Sequence, residues 1–493
     1  MLSSTARTNL YINMSRCIAR GVFAGSGLRS KPWVATTICF FRLQSTSSVG
    51  TQPAADNHRR IAASILRTKE ERPADLARLP TANILRNIFL GIFFTSPILF
   101  KPGFAFLKII ANSRSRLLNP DVNPLLRLVL KPLLYNQFCA GTGPAEIART
   151  RENIKRVGYS GIILCYGKEI LIDDKSNELR SATELAVKLS AEIAHWRDGN
   201  LSTLDIVGAG DWLGMKFTGA GSMVTNALLN GEQPHAELIE AMDAICHKAA
   251  AQGCRIWVDA EQQVLQHTID RWAMYFMSKH NVNGKALVHN TIQAYLKASR
   301  DNVTRHLAKA HAEGWTLGIK LVRGAYINSD PRHLIHDTKA DTDVNYDGIV
   351  RDLLSGANLG FCEDKHPKDV HLFVAGHNPD SVAKAMDLMQ VLHTEGRLKT
   401  LPDFGQLQGM GDVLGCKVLQ QCEDLDNERK LNGTKTVTPR VYKCLTWGSV
   451  QECLGYLFRR AVENSGGTDR MRDGLAANVR ELRRRMVRPV AGR

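Results

Sequence analysis

Eight short apolar segments, separated by longer helical patterns, constrain this chain more than any other feature. They read GIILCYG (161–167), GMKFTG (214–219), RIWVDAE (255–261), ALVHNTIQAY (286–295), LGIKLVRGAY (317–326), VHLFVAGHN (370–378), FGQLQGM (404–410) and RVYKCLTWG (440–448). Between them lie amphipathic stretches such as SATELAVKLSAEIAHWRD, AELIEAMDAICHKAAAQ and DSVAKAMDLMQVL. Strands that alternate with helices make a parallel sheet, and eight is the number that closes a (β/α)8 barrel. These strands lack a clean polar alternation, as expected where both faces are covered. A doubly wound open sheet is the competing architecture. It would want a G-x-G-x-x-G after a strand, and GAGD and GAGS both lack the third glycine.

The polar residues fall at equivalent places. Catalytic groups of a β/α barrel gather at the carboxyl ends of its strands. Asp259 and Glu261 end the third segment, Gln293 and Tyr295 the fourth, Arg323 and Tyr326 the fifth, and His377 and Asn378 the sixth. Gln406 lies on the seventh and Lys216 inside the second. Each alone could be an ordinary loop residue, but their repetition indicates a shared site. Beyond the last strand, GYLFRRAVEN (455–464) sets two arginines side by side. On a helix, Tyr456, Arg459, Arg460 and Glu463 share one face through three- and four-residue steps. Such a face suits a small anion; a solvated helix with one Arg–Glu pair is the plainer reading.

Charge and the ends of the chain narrow the function class. The 493 residues carry a formal charge of +16. Residues 1–55 contain no acid, while Arg7, Arg16, Arg20, Arg29, Lys31 and Arg42 contribute cations, and a basic tail closes the chain with Arg483, Arg484 and Arg485. No basic stripe with interleaved aromatics and no zinc finger is present, so a nucleic-acid partner is not expected. The acid-free, Ser/Thr-rich lead, amphipathic around LYINMSRCIAR, has the composition of a mitochondrial transit peptide; a disordered basic tail is the alternative. The expected division is 1–55 transit peptide and lead, 56–130 a helical arm, 131–468 the barrel and 469–493 a basic C-terminal tail. The apolar uncharged run NIFLGIFFTSPILF (87–100) is broken by Pro97 and falls short of the roughly 20 residues a span needs. It fits a buried or interfacial helix of a membrane-associated arm. The eleven cysteines have no regular spacing and read as reduced core residues, and no metal site is expected.

The motifs VDAEQ (258–262), KLVRGAY (320–326), AGHN (375–378), FGQLQGM (404–410) and YLFRRAVEN (456–464), in this order, resemble the proline dehydrogenase family, most closely its fungal branch. QFCAGTG (137–143) and TKADTDVNYD (338–347) match as well. The resemblance implies a distorted (β/α)8 TIM-type barrel with an N-terminal helical arm. It also implies bound FAD, oxidation of L-proline to 1-pyrroline-5-carboxylate and electron transfer to ubiquinone on the matrix side of the mitochondrial inner membrane. Oligomeric state stays open.

By matching position, Arg459 and Arg460 would clamp the substrate carboxylate with help from Lys216. Tyr326 and Tyr456 would wall the pocket, and Asp259 would hold polar partners within it. Lys320 would lie beside the flavin, where some members carry arginine. Arg323, Gly324, Gln293, His377, Asn378 and Glu463 would contact the cofactor. The sequence departs from the family's usual pattern at three places. Cys444 replaces a tyrosine, Gly376 a threonine and Cys165 an aspartate. Two alternatives go with the resemblance: an enzyme for a related cyclic amine such as hydroxyproline, and a non-catalytic flavin-barrel regulator.

Overall fold

The computed structural model describes residues 76–113, 115–167, 182–359, 370–465 and 468–487. The expected transit peptide and the first part of the arm lie outside these residues. Eight parallel strands close into one barrel in sequence order: β1 Gly161–Tyr166, β2 Trp212–Met215, β3 Arg255–Val258, β4 Val288–Gln293, β5 Leu317–Val322, β6 Val370–Ala375, β7 Asp403–Leu407 and β8 Val441–Trp447. β1 pairs with β8 through Ile163 to Cys444 and Cys165 to Thr446, which completes the ring.

Alternate residues of each strand face opposite ways. Ile162, Leu164, Leu213, Ile256, Val258, Leu317, Ile319, Leu372 and Leu445 point outward into the large core beneath the surrounding helices. Ile163, Trp212, Trp257, Phe373 and Tyr442 fill the interior. Three aromatic strand residues meet there edge to face, Trp212 with Phe373 at 5.1 Å and Trp257 with Phe373 at 5.2 Å between ring centroids. The barrel is therefore a packed core and not a pore, and its chemistry is confined to its ends. At the amino end, Asp403 holds Arg255 and Arg440, and His289 meets His371 at 2.7 Å.

One strand differs from the sequence reading. β2 begins at Trp212 and stops at Met215, so Lys216 stands just past the strand, at the start of a short turn of helix Phe217–Ala220. Phe217, whose apolar side chain prolonged the apparent strand, packs instead against Trp196, Trp272 and Phe276.

Two arm helices, Thr81–Thr95 and Pro97–Asn112, precede the barrel and bend by 97° at Ser96. Pro97 makes the break, since it has no N–H to continue the first helix but is suited to the first turn of the next. Among the described residues no single helix is long and apolar enough to cross a membrane. Leu90, Phe94, Leu107 and Ile110 face inward and pack with Tyr135, Phe138 and Leu457. Leu85, Phe89, Ile92, Ile98, Phe106 and Ile109 face outward and are exposed. The C-terminal segment, set apart in sequence as a basic tail, is largely the helix Thr468–Val487 laid along Thr81–Thr95. Its Arg485 is not solvated. The guanidinium donates to the carbonyls of Leu76, Ala77 and Leu79 and to Thr81 Oγ1.

Candidate active site

The carboxyl ends of the strands open into a cavity of about 1400 Å3, roofed by the helices Leu454–Ser465 and Thr468–Val487 and the first arm helix. Of the thirteen residues that the family resemblance gave a role, twelve line it: Lys216, Asp259, Gln293, Lys320, Arg323, Gly324, Tyr326, His377, Asn378, Tyr456, Arg459 and Arg460. Glu463 is on the helix Leu454–Ser465, and its side chain lies outside the described residues.

One end of the cavity is cationic. Arg460, 8% exposed, lies with its guanidinium 5.0 Å from the Tyr456 ring centroid and directs a nitrogen toward Met410 Sδ at 3.9 Å. Arg459, next on the same helix, is half-buried and close enough to Tyr326 to act on its hydroxyl. Burial holds the Tyr326 phenol above its usual pKa; Glu261 and Asp259 add to this, and Lys216 and Arg459 oppose it. Across from them, Lys320 Nζ donates to Asp259 Oδ1 at 2.5 Å and sits 3.7 Å from the centre of the Trp257 ring. An ammonium over an indole face is attracted by the ring's quadrupole, so the lysine is held by a carboxylate and an aromatic ring together. Glu261 is buried, accepts from Thr218 N at 3.2 Å and from Thr218 Oγ1, and burial raises its pKa despite nearby Lys216. Lys216, Lys320, Arg459 and Arg460 line the same cavity as Asp259 and Glu261, so several cationic groups are at hand for an incoming anion.

The other end is built from the loops after β4 to β7. Arg323 bonds Asp343, donates to Ser381 Oγ at 2.6 Å and lies over the Tyr346 ring at 4.8 Å. Gln293 accepts from the Ala325 amide at 3.1 Å, fixing the loop after β5. Gly324 is required there, because a Cβ would stand 2.4 Å from the Tyr295 ring. Asn378 caps the helix Pro379–Thr394 by accepting from Asp380 N at 2.9 Å and Ser381 N at 3.3 Å. Its side-chain oxygen is therefore committed to the fold. His377 Nε2 accepts from Leu407 N at 3.4 Å.

Gln406, 2% exposed, has neither amide atom bonded within the described residues, and Arg323 Nε is likewise buried without a partner. Buried polar atoms are nearly always paired. Orphans on a cavity wall therefore mark where a polar ligand fits. The volume exceeds the roughly 300–1,000 Å3 of ordinary small-molecule pockets, which leaves room for a dinucleotide and a small substrate together. Three contributors were not singled out in the sequence: Trp257, Ser381 and Asp343. Ser381 follows an Asn-Pro helix start, a legible signal; Trp257 gave none, because its neighbour Lys320 comes from a strand two places away.

The profile of the family described as proline dehydrogenase matches residues 147–473. A Schizosaccharomyces pombe protein named "Probable proline dehydrogenase, mitochondrial" is 33% identical over 256 residues, 50% of this chain and 50% of the relative. Human "Proline dehydrogenase 1, mitochondrial" is 34% identical over 246 residues, 48% of this chain and 37% of that protein. Each match therefore spans half or less of the curated relative. A Mus musculus "Hydroxyproline dehydrogenase" is 26% identical over 378 residues, covering 74% of this chain and 78% of its own. In structure, the chain resembles proline utilization A from Bdellovibrio bacteriovorus with a TM-score of 0.56 and 15% identity, over 84% of this chain and 42% of that one, a likeness of fold.

Proposed function

Because the chain belongs to the proline dehydrogenase family, we propose that it oxidises L-proline to 1-pyrroline-5-carboxylate with bound FAD and passes the electrons to a membrane quinone. The observation that carries this reading is the convergence of Lys216, Arg459, Arg460 and the Lys320–Asp259 pair on one end of a single cavity. Proline is a small zwitterion whose carboxylate is its strongest handle. Planar guanidinium groups hold such a group by paired, charge-assisted hydrogen bonds. The two adjacent arginines then have a purpose, since the bound anion offsets their mutual repulsion.

FAD, when bound, supplies the hydride acceptor. Arg323, Gln293, Gly324, His377 and Asn378 would hold it, with Gln406 giving its amide a partner; Glu463 is expected to join them. Lys320, fixed by Asp259 and Trp257, keeps a positive charge at one point of the site. Preorganised charge of this kind stabilises negative charge as it develops. Tyr326 and Tyr456 wall the substrate end and exclude water. The substrate nitrogen must be unprotonated when its carbon is oxidised, so turnover rises with pH until the bound amine has lost its proton.

The exposed apolar face of the arm supports the quinone and the membrane. Ile98 is 84% and Leu125 73% exposed, with Lys101, Lys108 and Arg127 nearby in sequence. Exposed apolar side chains on segments that also carry cations suit the interface of an anionic bilayer. The acid-free lead and relatives named mitochondrial favour the matrix face of the inner membrane.

The length of the match to the mouse hydroxyproline dehydrogenase, with a thiol at Cys444 in the pocket wall, supports a second reading in which the ring carries a hydroxyl. The test is an absorbance spectrum of the purified protein before and after proline without oxygen. Bleaching of a flavin band is expected, and faster turnover of hydroxyproline than proline would favour the second reading. A colourless protein that takes up no FAD would overturn both.

A further inference from the structure

We propose that a second cavity, between the first arm helix and the outside of the barrel, binds the phosphodiester headgroup of an anionic phospholipid of the phosphatidylglycerol type. The cavity measures about 430 Å3, within the roughly 300–1,000 Å3 of ordinary small-molecule pockets. The arm helix Thr81–Thr95 supplies Arg86, the turn after the helix Pro124–Leu130 supplies Lys131, and the helix Pro144–Val157 supplies Glu146 and Arg149. Lys443 and Tyr159, both buried, form its inner end. Tyr442 points into the barrel, so Lys443, next on β8, points out of it. Of the residues lining the two cavities only Asp412 is shared, so this one is distinct from the site at the strand ends.

Two of its cations are already matched. Lys131 bonds Glu146 at 2.6 Å, and Lys443 bonds Asp412 at 2.9 Å. Arg86 is not bonded to a carboxylate, although Asp412 attracts it from a distance. It donates Nε to the Pro132 carbonyl at 2.9 Å and Nη1 to the Asn136 carbonyl at 3.3 Å, which fixes the guanidinium and leaves Nη2 for another acceptor. Arg149 is exposed on the rim and makes no bond among the described residues. Two guanidinium groups of this kind suit a phosphate, whose oxygens they bond in pairs. Further in, Tyr159 is 5% exposed, and its hydroxyl has no hydrogen-bond partner among the described residues. A buried hydroxyl left so calls for a polar partner. A headgroup hydroxyl beyond the phosphate supplies one.

The surroundings favour a ligand with an apolar tail. Leu85, exposed, precedes Arg86, and Leu128 and Val129, also exposed, stand just before Lys131. The bond from Arg86 to Pro132 joins these two segments, so greasy side chains flank the cations on both. Acyl chains lie on the former while the phosphate sits among the latter. A free phosphate would use none of that apolar surface.

Anchoring by this cavity rests on the reading above that the arm lies on a bilayer; the headgroup site itself does not. The test titrates the full chain in a calorimeter with dibutanoylphosphatidylglycerol, a soluble lipid, and in parallel with inorganic phosphate. One lipid per chain is expected. Arg149→Gln, at an exposed position that leaves the fold intact, should raise the Kd about tenfold, the scale of one hydrogen bond to a charged group. A chain with Lys101→Gln and Arg127→Gln, two exposed arm cations outside the cavity, should bind as wild type does. Equal losses in both variants, no lipid binding, or inorganic phosphate binding as tightly as the lipid would overturn the headgroup site. Sedimentation with vesicles of equal parts phosphatidylcholine and phosphatidylglycerol separates the two readings. A chain that sediments but binds no soluble lipid keeps the arm reading and loses this site. One that binds the lipid but does not sediment keeps the site and loses the arm reading.

Discussion

Replacing Arg460 by methionine gives the sharpest test of the cationic end. The side chain is 8% exposed and lies against Tyr456 and Met410, so methionine can occupy much of its volume without the charge. Truncating one partner of a buried, hydrogen-bonded charge pair costs ~2–5 kcal/mol. Taking ~3–4 kcal/mol for a guanidinium this deeply placed, and ~1.4 kcal/mol per tenfold, the apparent KM for proline should rise ~10²–10³-fold. Arg459 is half-buried and more screened, so Arg459→Met should cost less, about tenfold. The assay measures steady-state turnover with a dye acceptor, with flavin content read by absorbance in the same samples. Pyrrolidine, the same ring without a carboxylate, is the control. Wild type and Arg460→Met should oxidise it with closely similar KM values. An unchanged KM for proline, or equal losses for proline and pyrrolidine, would refute a carboxylate clamp.

Three further outcomes are expected. Ile98→Glu with Leu125→Glu should abolish sedimentation with anionic vesicles, since burying each apolar side chain contributes ~1.5–3 kcal/mol; unchanged binding would remove the arm as the membrane contact. Lys443→Met should lower stability by ~3–5 kcal/mol in urea titrations, because Asp412, bonded to Lys443 at 2.9 Å, would be buried without its counter-charge; addition of Asp412→Leu should recover most of the loss. Burial lowers the pKa of both His289 and His371; His371 and Arg255 add to this at His289, while Asp403 opposes it at His371, so the unfolded chain takes up protons more readily than the folded one. Stability should therefore fall as pH drops below about 6.5, and a His289→Phe chain should show a shallower urea-midpoint decline over that range.

Much of the barrel was legible because a parallel strand covered on both faces has to be apolar throughout, and seven strands fall where such runs occur. β2 was misplaced because Phe217 continues the apolar run while its ring turns away to pack on Trp196 and Trp272. The site was legible where one strand end carries its own polar residue, as at Asp259 or Arg323. It was not legible where a role depends on closure. Trp257 meets Lys320 across the interior, from a strand two places away. Asn378 reads as a cavity residue in sequence, yet the following proline already marks it as a helix cap.

The clasp between Arg485 and the carbonyls of Leu76, Ala77 and Leu79 has a consequence for biosynthesis. During translation the arm emerges well before the helix Thr468–Val487 that packs on it at Gly91. Until then the arm shows greasy surface on both sides, so a newly made chain calls for a chaperone or a lipid surface before it calls for a cofactor. Losing the helix Thr468–Val487 would then harm yield before it harmed turnover.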